Sequence, residues 1–126
     1  DTFSSRGLGD VYKRQVGNPH FMVEVNNVEN FELEELYQSV NNDKNFTSGV
    51  NLEIYEIINS EYVKARVYER GVGETDACGS GALCMFNYLS KTNKIATNGY
   101  ILYPGGELNL RFENEDLYLS GEVIYL

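Results

Sequence analysis

The sequence predicts an α+β fold in which a mixed β-sheet or barrel is wrapped around one central helix. Residues 79–91 show a helical pattern that is apolar nearly all round, and such a helix must be covered by other elements. The segments before and after it are mostly short, rich in β-forming residues and separated by turn sequences. Because one buried helix accompanies many strands, we expect the strands to curl around that helix.

Local patterns predict two elements at the start of the domain. HFMVEV, which begins at His20, alternates as a strand does. FELEELYQSV follows and repeats apolar residues near the helical spacing, which predicts a short amphipathic helix. Asn30 directly precedes this segment and has a side chain that can cap a helix. The polar run NNDKNFTSG that comes next is expected to be a loop.

A β-hairpin is predicted between that loop and the central helix. VNLEIYEII and EYVKARVYE are alternating segments separated by Asn59 and Ser60. In the second segment the period of two places Glu69 in line with an apolar row, so this acid needs a specific role. After the central helix, GYILYP, ELNLRFE and LYLSGEVIYL predict a run of short antiparallel strands. We expect the strands that pack the helix to begin at Met22, Leu52, Tyr62, Ile101, Leu108 and Leu117.

Composition and charge exclude several classes of protein. The 126 residues fit one compact domain or a piece of a larger one. Nineteen acidic and ten basic side chains give a net charge of −9, which repels nucleic-acid phosphates and anionic membranes, so neither is an expected partner. Two cysteines are too few for a disulfide scaffold, and no stretch approaches the roughly 18 apolar residues that span a membrane. We expect a soluble protein of a reducing compartment, the cytoplasm.

The first fifteen residues differ from the rest of the chain. No strand or helix period continues through SSRGLGD into VYKRQ, and the sequence begins with Asp1 rather than methionine. We therefore interpret residues 1–15 as a non-native leader and residues 16–126 as the domain. An ordinary short strand around residues 11–15 is the alternative.

Three short segments concentrate polar groups that packing alone does not require: GNPH at 17–20, YERGVGET at 68–75 and ACGSG at 77–81. Cys78 stands at the start of the central helix, where free backbone N–H groups and the helix dipole favour negative charge. We expect this position to lower the pKa of the Cys78 thiol and to bind a substrate carboxylate at the backbone that follows. The alternative is a buried, inert cysteine.

Simpler structural roles remain open for other polar residues. Cys84 lies six residues further along the helix, on a different face, and is expected to be a core residue. Glu69 and Arg70 could pair with each other as a strand-end ion pair. The lone His20 could be structural, and no Cys-x-x-Cys or His-x-x-x-His spacing supports a metal site, so none is predicted.

The polar segments and their flanks resemble the carboxyl-terminal half of diaminopimelate epimerase, a family of pyridoxal-independent amino acid epimerases. The likeness runs in order through GNPHFMVEV, VNLEIYEI, ARVYERGVGETDACGSGALC, PGGELNLRF and LSGEV, from residue 16 to about residue 125. It implies an isomerase that interconverts LL- and meso-diaminopimelate, a step toward lysine and peptidoglycan, without cofactor or metal. It also implies two similar halves, each a β-structure wrapped around a helix, with a small-molecule amino acid closed between them.

The resemblance also implies a role for each matching residue. One of the family's two catalytic cysteines takes the α-proton while the other supplies a proton to the opposite face, and Cys78 matches the second of these in chain order. His20 matches a histidine near the reacting centre, and Glu69 and Arg70 match residues that hold the distal end of the substrate. The expected catalytic residues are Cys78, His20 and Glu69, and the expected substrate-binding residues are Asn18, Asn51, Glu69, Arg70, Gly79 and Ser80.

No segment of the chain matches the family's amino-terminal half, which carries the other cysteine in a Cys-Gly-Asn-Gly setting. Because inversion needs an acid and a base on opposite faces of the carbon, we expect an incomplete epimerase that is inactive without an amino-terminal domain as partner. The face that such a domain would cover predicts self-association, for example as a homodimer. Two alternatives stay open: a racemase or epimerase of another amino acid, such as proline, glutamate or histidine, and a non-catalytic half-domain that binds a carboxylate.

Overall fold

The computed structural model describes residues 20–42 and 50–121. The leader assigned to residues 1–15, the site residue Asn18 and residues 122–126 lie outside this part. The described elements are β1 (His20–Glu24), α1 (Leu33–Asn41), β2 (Asn51–Ile57), β3 (Tyr62–Glu69), β4 (Gly73–Thr75), α2 (Gly79–Lys91), β5 (Asn98–Tyr103), β6 (Gly106–Glu113) and β7 (Asp116–Gly121). Within the described ranges, neither helix is long and apolar enough to cross a membrane.

All seven described strands belong to one mixed sheet. Its order is β1-β2-β3-β5-β6-β7, and the short β4 pairs with β3 beside this path. The pairs β1 with β2 and β3 with β5 are parallel, and the others are antiparallel. The predicted α+β class, the hairpin of β2 and β3 and the antiparallel run from β5 to β7 are confirmed. The three-residue β4, within the polar segment YERGVGET, was not expected.

The sheet curls around α2. This helix contacts β1 at one end of the strand order and β6 and β7 at the other, which a flat sheet could not do. Seven of its residues are buried: Gly81, Ala82, Leu83, Met85, Phe86, Leu89 and Ser90. The central position of α2 and its bounds at residues 79 and 91 are therefore as predicted.

The opposite face of the sheet is covered by α1. Leu33 and Tyr37 of this helix pack with Leu52 and Ile54 of β2, and the rings of Tyr37 and Tyr68 stack with centroids 4.1 Å apart. As a result β2 is buried on both of its faces.

The expected helix cap at Asn30 is wrong. Helix α1 begins at Leu33 with Glu32 at the N-cap position, and no side chain caps it. The backbone N–H of Asn30 instead donates to Asn27 Oδ1, 3.3 Å away. Asn30 thus belongs to the turn between β1 and α1, because the helix starts later than the apolar pattern suggests.

Candidate active site

Two neighbouring strands, β1 and β2, bring polar side chains to the sheet face that α2 covers. The parallel register pairs His20 with Asn51 and Met22 with Glu53, and the antiparallel register pairs Glu53 with Val67. Paired residues of neighbouring strands point to the same face. Val67 packs in the core around α2, so His20, Asn51 and Glu53 share that face.

Cys78 occupies the N-cap position of α2. Its backbone is extended, with φ −146° and ψ 109°, and its Sγ accepts a hydrogen bond from the backbone N–H of Gly81 at 3.4 Å. Ser80 Oγ lies 3.4 Å from the same sulfur atom. The predicted position at the helix start is therefore confirmed.

The expected lowering of the Cys78 pKa is wrong for this structure. Burial raises the pKa of the Cys78 thiol, and the nearby carboxylates of Glu53 and Glu69 raise it further. The hydrogen bonds from Ser80 and the Gly81 N–H lower it, but by less. The helix terminus does stabilise negative charge, yet desolvation and two acids outweigh that effect.

Cys84 differs from Cys78 in its surroundings. Burial raises the pKa of its thiol to about 12, with further contributions from Glu53 and Cys78. The residue is half-buried rather than fully in the core, which corrects the expectation from sequence. Both cysteines are free thiols, in agreement with their expected separation along the helix.

The Glu69 carboxylate is bound by the unexpected strand β4. Thr75 Oγ1 donates a hydrogen bond to Glu69 Oε2 at 2.5 Å. In the β3–β4 register Thr75 pairs with Val67, which lies two residues before Glu69 and points to the same face of the sheet. The predicted placement of Glu69 at the end of the apolar row is confirmed, since Val63, Ala65 and Val67 are buried in line with it.

Asn51 links the end of β2 to the segment after β3. Its Oδ1 accepts a hydrogen bond from the backbone N–H of Arg70 at 2.8 Å, and the residue is buried. Because the amide oxygen is engaged, its N–H donors are the groups that could serve a ligand. Arg70 is exposed at the rim of the site, and Gly79 and Ser80 are half-buried in the first turn of α2.

Glu53 is a site residue that the sequence did not indicate. Its side chain is fully buried, and its Oε1 lies 2.6 Å from Nδ1 of His20, whose side chain is 1% exposed. Burial raises the pKa of Glu53, and the contact with His20 opposes this shift. An acid between Leu52 and Ile54 is typical of a solvent-facing position in an amphipathic strand, but β2 has no solvent-facing side.

His20, Glu53 and Cys78 also form a group of metal-ligand types. One ligand atom from each lies within 4.8 Å of the other two. Residues so far apart in sequence give no spacing motif, which is why sequence reasoning missed the group. In tetrahedral zinc sites, however, neighbouring nitrogen and oxygen ligands stand roughly 3.3 Å apart. The 2.6 Å contact between His20 Nδ1 and Glu53 Oε1 is therefore shorter than the spacing of two ligands on one zinc ion.

The fold and the site define an α+β domain with a cysteine at the first turn of its central helix, beside a histidine and two glutamates. The family model for diaminopimelate epimerase matches residues 12–126, and the chain belongs to this family.

Curated relatives support this assignment. The chain is 39% identical over 113 residues to the diaminopimelate epimerase of Brachyspira hyodysenteriae, which covers 87% of this chain and 39% of the relative. It is 35% identical over 117 residues to that of Prochlorococcus marinus strain NATL1A, covering 91% of this chain and 41% of the relative. The chain thus spans about two fifths of the length of these relatives.

A solved structure supports the fold alone. A PhzF-family phenazine biosynthesis protein of Bacillus anthracis matches with a TM-score of 0.57 at 17% identity, covering 85% of this chain and 35% of that one.

Proposed function

We propose that this chain supplies one proton-transfer face of an amino acid epimerase that interconverts LL- and meso-diaminopimelate. The observation that carries the proposal is the position of Cys78 at the N-cap of α2, within the polar cluster at the end of the sheet. Membership of the diaminopimelate epimerase family supports the reaction class.

In the proposed step the Cys78 thiolate removes the α-proton, so an S–H bond forms as the C–H bond breaks. The electron pair of that C–H bond moves toward the substrate's α-carboxylate. The backbone N–H groups of Gly79 and Ser80 and the positive end of the α2 dipole would stabilise this charge. In the reverse direction the Cys78 thiol returns the proton to the same face of the carbon.

The second face needs a proton donor that Cys84 cannot provide. Cys84 lies on the same helix as Cys78, six residues away, which places it about 9 Å further along the axis. We propose that an amino-terminal domain of the family supplies the opposite cysteine and closes the site. The 126-residue chain alone would then exchange an α-proton at most, without inversion.

The distal end of the substrate would be held at the rim of the site. Glu69 and Arg70 offer a carboxylate and a guanidinium, which suit an ammonium and a carboxylate group respectively. Asn51 and Asn18 would add amide hydrogen bonds. A substrate with charged groups at both ends fits this set better than proline does.

The test combines the chain with the amino-terminal half of the Brachyspira hyodysenteriae relative and assays diaminopimelate inversion in deuterated water. We expect deuterium at the α-carbon of the inverted product, no inversion with Cys78→Ala, and retained activity with the matched control Cys84→Ala. Inversion by the Cys78→Ala protein would refute the role of Cys78.

The same assay separates the two other candidates. Faster turnover of proline, glutamate or histidine than of diaminopimelate would assign another epimerase. The raised pKa of Cys78 favours a non-catalytic, carboxylate-binding half-domain as the second candidate. Binding of diaminopimelate with neither inversion nor α-deuteration in the combined protein would identify this case.

A further inference from the structure

We infer that Tyr103 and Gly105 are positioning residues that fix the peptide between Cys78 and Gly79, and with it the direction of the Gly79 N–H. Tyr103 ends β5, and Gly105 lies in the turn that leads into β6. The inference deepens the proposed function and rests on it for the role of the Gly79 N–H as a donor to the substrate's α-carboxylate. Neither residue is among the site residues expected from the sequence.

The first observation is the place of the turn between β5 and β6. Pro104 and Gly105 connect the two strands, and the backbone N–H of Gly105 donates to the carbonyl of Asp76 at 3.0 Å. Asp76 lies between β4 and α2, two residues before Cys78. The turn therefore contacts the segment that leads into the start of the helix.

Gly105 lies too close to Asp76 to carry a side chain. An added Cβ would be 2.7 Å from Asp76 Cβ and 3.1 Å from the Asp76 carbonyl oxygen. The φ angle of Gly105 is not in the left-handed region, so this contact, rather than the backbone conformation, excludes alanine. Replacing Gly105 by alanine would thus displace Asp76 without requiring a different turn.

The second observation is a buried hydroxyl group on the carbonyl of Cys78. Tyr103 packs in the core around α2 and is 5% exposed, and its hydroxyl donates to the Cys78 carbonyl oxygen at 3.4 Å. The same carbonyl accepts the backbone N–H of Ala82 at 2.9 Å, as the N-cap carbonyl of a helix does. Two donors from different elements therefore set the direction of this carbonyl.

The direction of the Cys78 carbonyl determines that of the Gly79 N–H. Both groups belong to one planar trans peptide, in which the C=O and the N–H point in opposite directions. In the proposed step this N–H stabilises the charge that moves onto the α-carboxylate, and such a donor is effective when it is aimed before the reaction begins. Tyr103 and Gly105 thus act on the reaction through the backbone at the start of α2.

The first test measures the backbone amide resonance of Gly79 by ¹⁵N NMR in the 126-residue chain without substrate. Tyr103→Phe removes the hydroxyl and keeps the ring, so a change reports the lost hydrogen bond. We expect the Gly79 resonance to move in Tyr103→Phe and in Gly105→Ala. A Gly79 resonance that keeps its parent position in Tyr103→Phe would overturn the inference.

Gly99→Ala is the matched control for a glycine of the same hairpin that has no room for a side chain. An added Cβ on Gly99 would lie 2.6 Å from the carbonyl oxygen of Glu61. Gly99 lies four residues before Tyr103 in β5, about 13 Å along the strand. This variant should leave the Gly79 resonance in place. A shift as large as that of Gly105→Ala would show a general loss of packing and would also overturn the inference.

The second test measures kcat and KM for diaminopimelate inversion after the chain is combined with the amino-terminal half of the Brachyspira hyodysenteriae relative. We expect Tyr103→Phe to lower kcat roughly tenfold, less than the hundredfold or more that complete loss of such a donor costs. KM should change less than about twofold, because the carboxylate carries its additional charge only in the transition state. A parent kcat in Tyr103→Phe, or an equal loss of kcat in Gly99→Ala, would refute the positioning role.

The two tests separate this inference from the proposed function. An unmoved Gly79 resonance together with inversion by the combined protein would reject the positioning role and leave the epimerase proposal standing. Absence of inversion in the combined parent protein would reject the epimerase proposal, whereas the NMR measurement, which uses no substrate, would still decide whether Tyr103 and Gly105 fix the peptide.

Discussion

Gly81→Ala should destabilise the domain even though alanine is the better helix former. In the first turn of an exposed helix this change would stabilise by up to about 1 kcal/mol. Here the added Cβ would overlap the Glu53 carboxylate and press on the His20 ring. The carboxylate cannot swing into solvent, because the Glu53 side chain is fully buried.

The magnitude follows from three contributions. Overpacking in a close-packed interior costs about 1–3 kcal/mol. Separating Glu53 from His20 leaves buried polar groups without their contact, which costs about 1–3 kcal/mol more. Against these stands the helix-propensity gain of about 1 kcal/mol. We therefore expect the free energy of unfolding to fall by about 1–5 kcal/mol.

The assay is urea unfolding of the parent, Gly81→Ala, Glu53→Ala and the double variant. Once the carboxylate is gone, the clash is gone, so Gly81→Ala in the Glu53→Ala background should be neutral or stabilising. This change of sign is the signature of a direct steric conflict between the two residues. A Gly81→Ala chain as stable as the parent, or an equal loss in both backgrounds, would refute the reasoning.

Cys78 should be alkylated faster than Cys84 by iodoacetamide, as measured by mass spectrometry. Burial raises the pKa of both thiols, but hydrogen bonds from Ser80 and the Gly81 N–H oppose the rise at Cys78, whereas the pKa of Cys84 reaches about 12. Equal labelling of the two cysteines would contradict this. Glu53→Gln should gain stability relative to the parent as pH rises from about 4 to about 7. The pKa of Glu53 is raised in the folded parent, so the parent has a contribution to stability at low pH that it loses as pH rises through that pKa, and the glutamine variant has no such contribution to lose. A difference in unfolding free energy that does not change with pH would count against this. Arg66→Lys should cost about 1–2 kcal/mol in urea unfolding, because Arg66 makes a two-pronged contact with Glu74 at 2.7 and 2.8 Å and binds the carbonyls of Val28 and Phe31. Arg111→Lys is its control, since the Arg111 pair with Glu113 is exposed, and equal losses in the two variants would disprove the distinction.

The spacing of apolar residues within each segment predicted the strands, the hairpin and the central helix, because strands and helices each have a characteristic spacing of buried residues. Helix α2 begins and ends where its apolar pattern and its flanking polar residues place it. The parallel pairings of β1 with β2 and of β3 with β5 were not predictable in this way. They join segments separated by a helix, and no local turn specifies their register.

The same difference explains which site residues were found. Cys78 and Glu69 stand out because each interrupts a local rule, a thiol at a helix start and an acid in an apolar row. Glu53 fits the alternation of apolar and polar residues that is typical of a half-exposed strand, so the sequence gives it no special role. Its burial is unusual only because α1 and α2 cover both faces of the sheet at β2. The pKa of Cys78 was misjudged for the same reason, since the helix terminus is visible in sequence and the burial is not.

In the proposed function Cys78 both takes and returns a proton, and its surroundings shift the pKa of its thiol in opposite directions. A thiol whose pKa lay far below the working pH would be a weak base and would deliver a proton slowly in the reverse direction. Burial and the carboxylates of Glu53 and Glu69 outweigh the hydrogen bonds from Ser80 and the Gly81 N–H, so the net shift in the Cys78 pKa favours the protonated thiol. A cationic amino acid placed beside these carboxylates would offset their repulsion and favour the thiolate. The base would then form where a substrate is bound, and the thiol would stay protonated where none is.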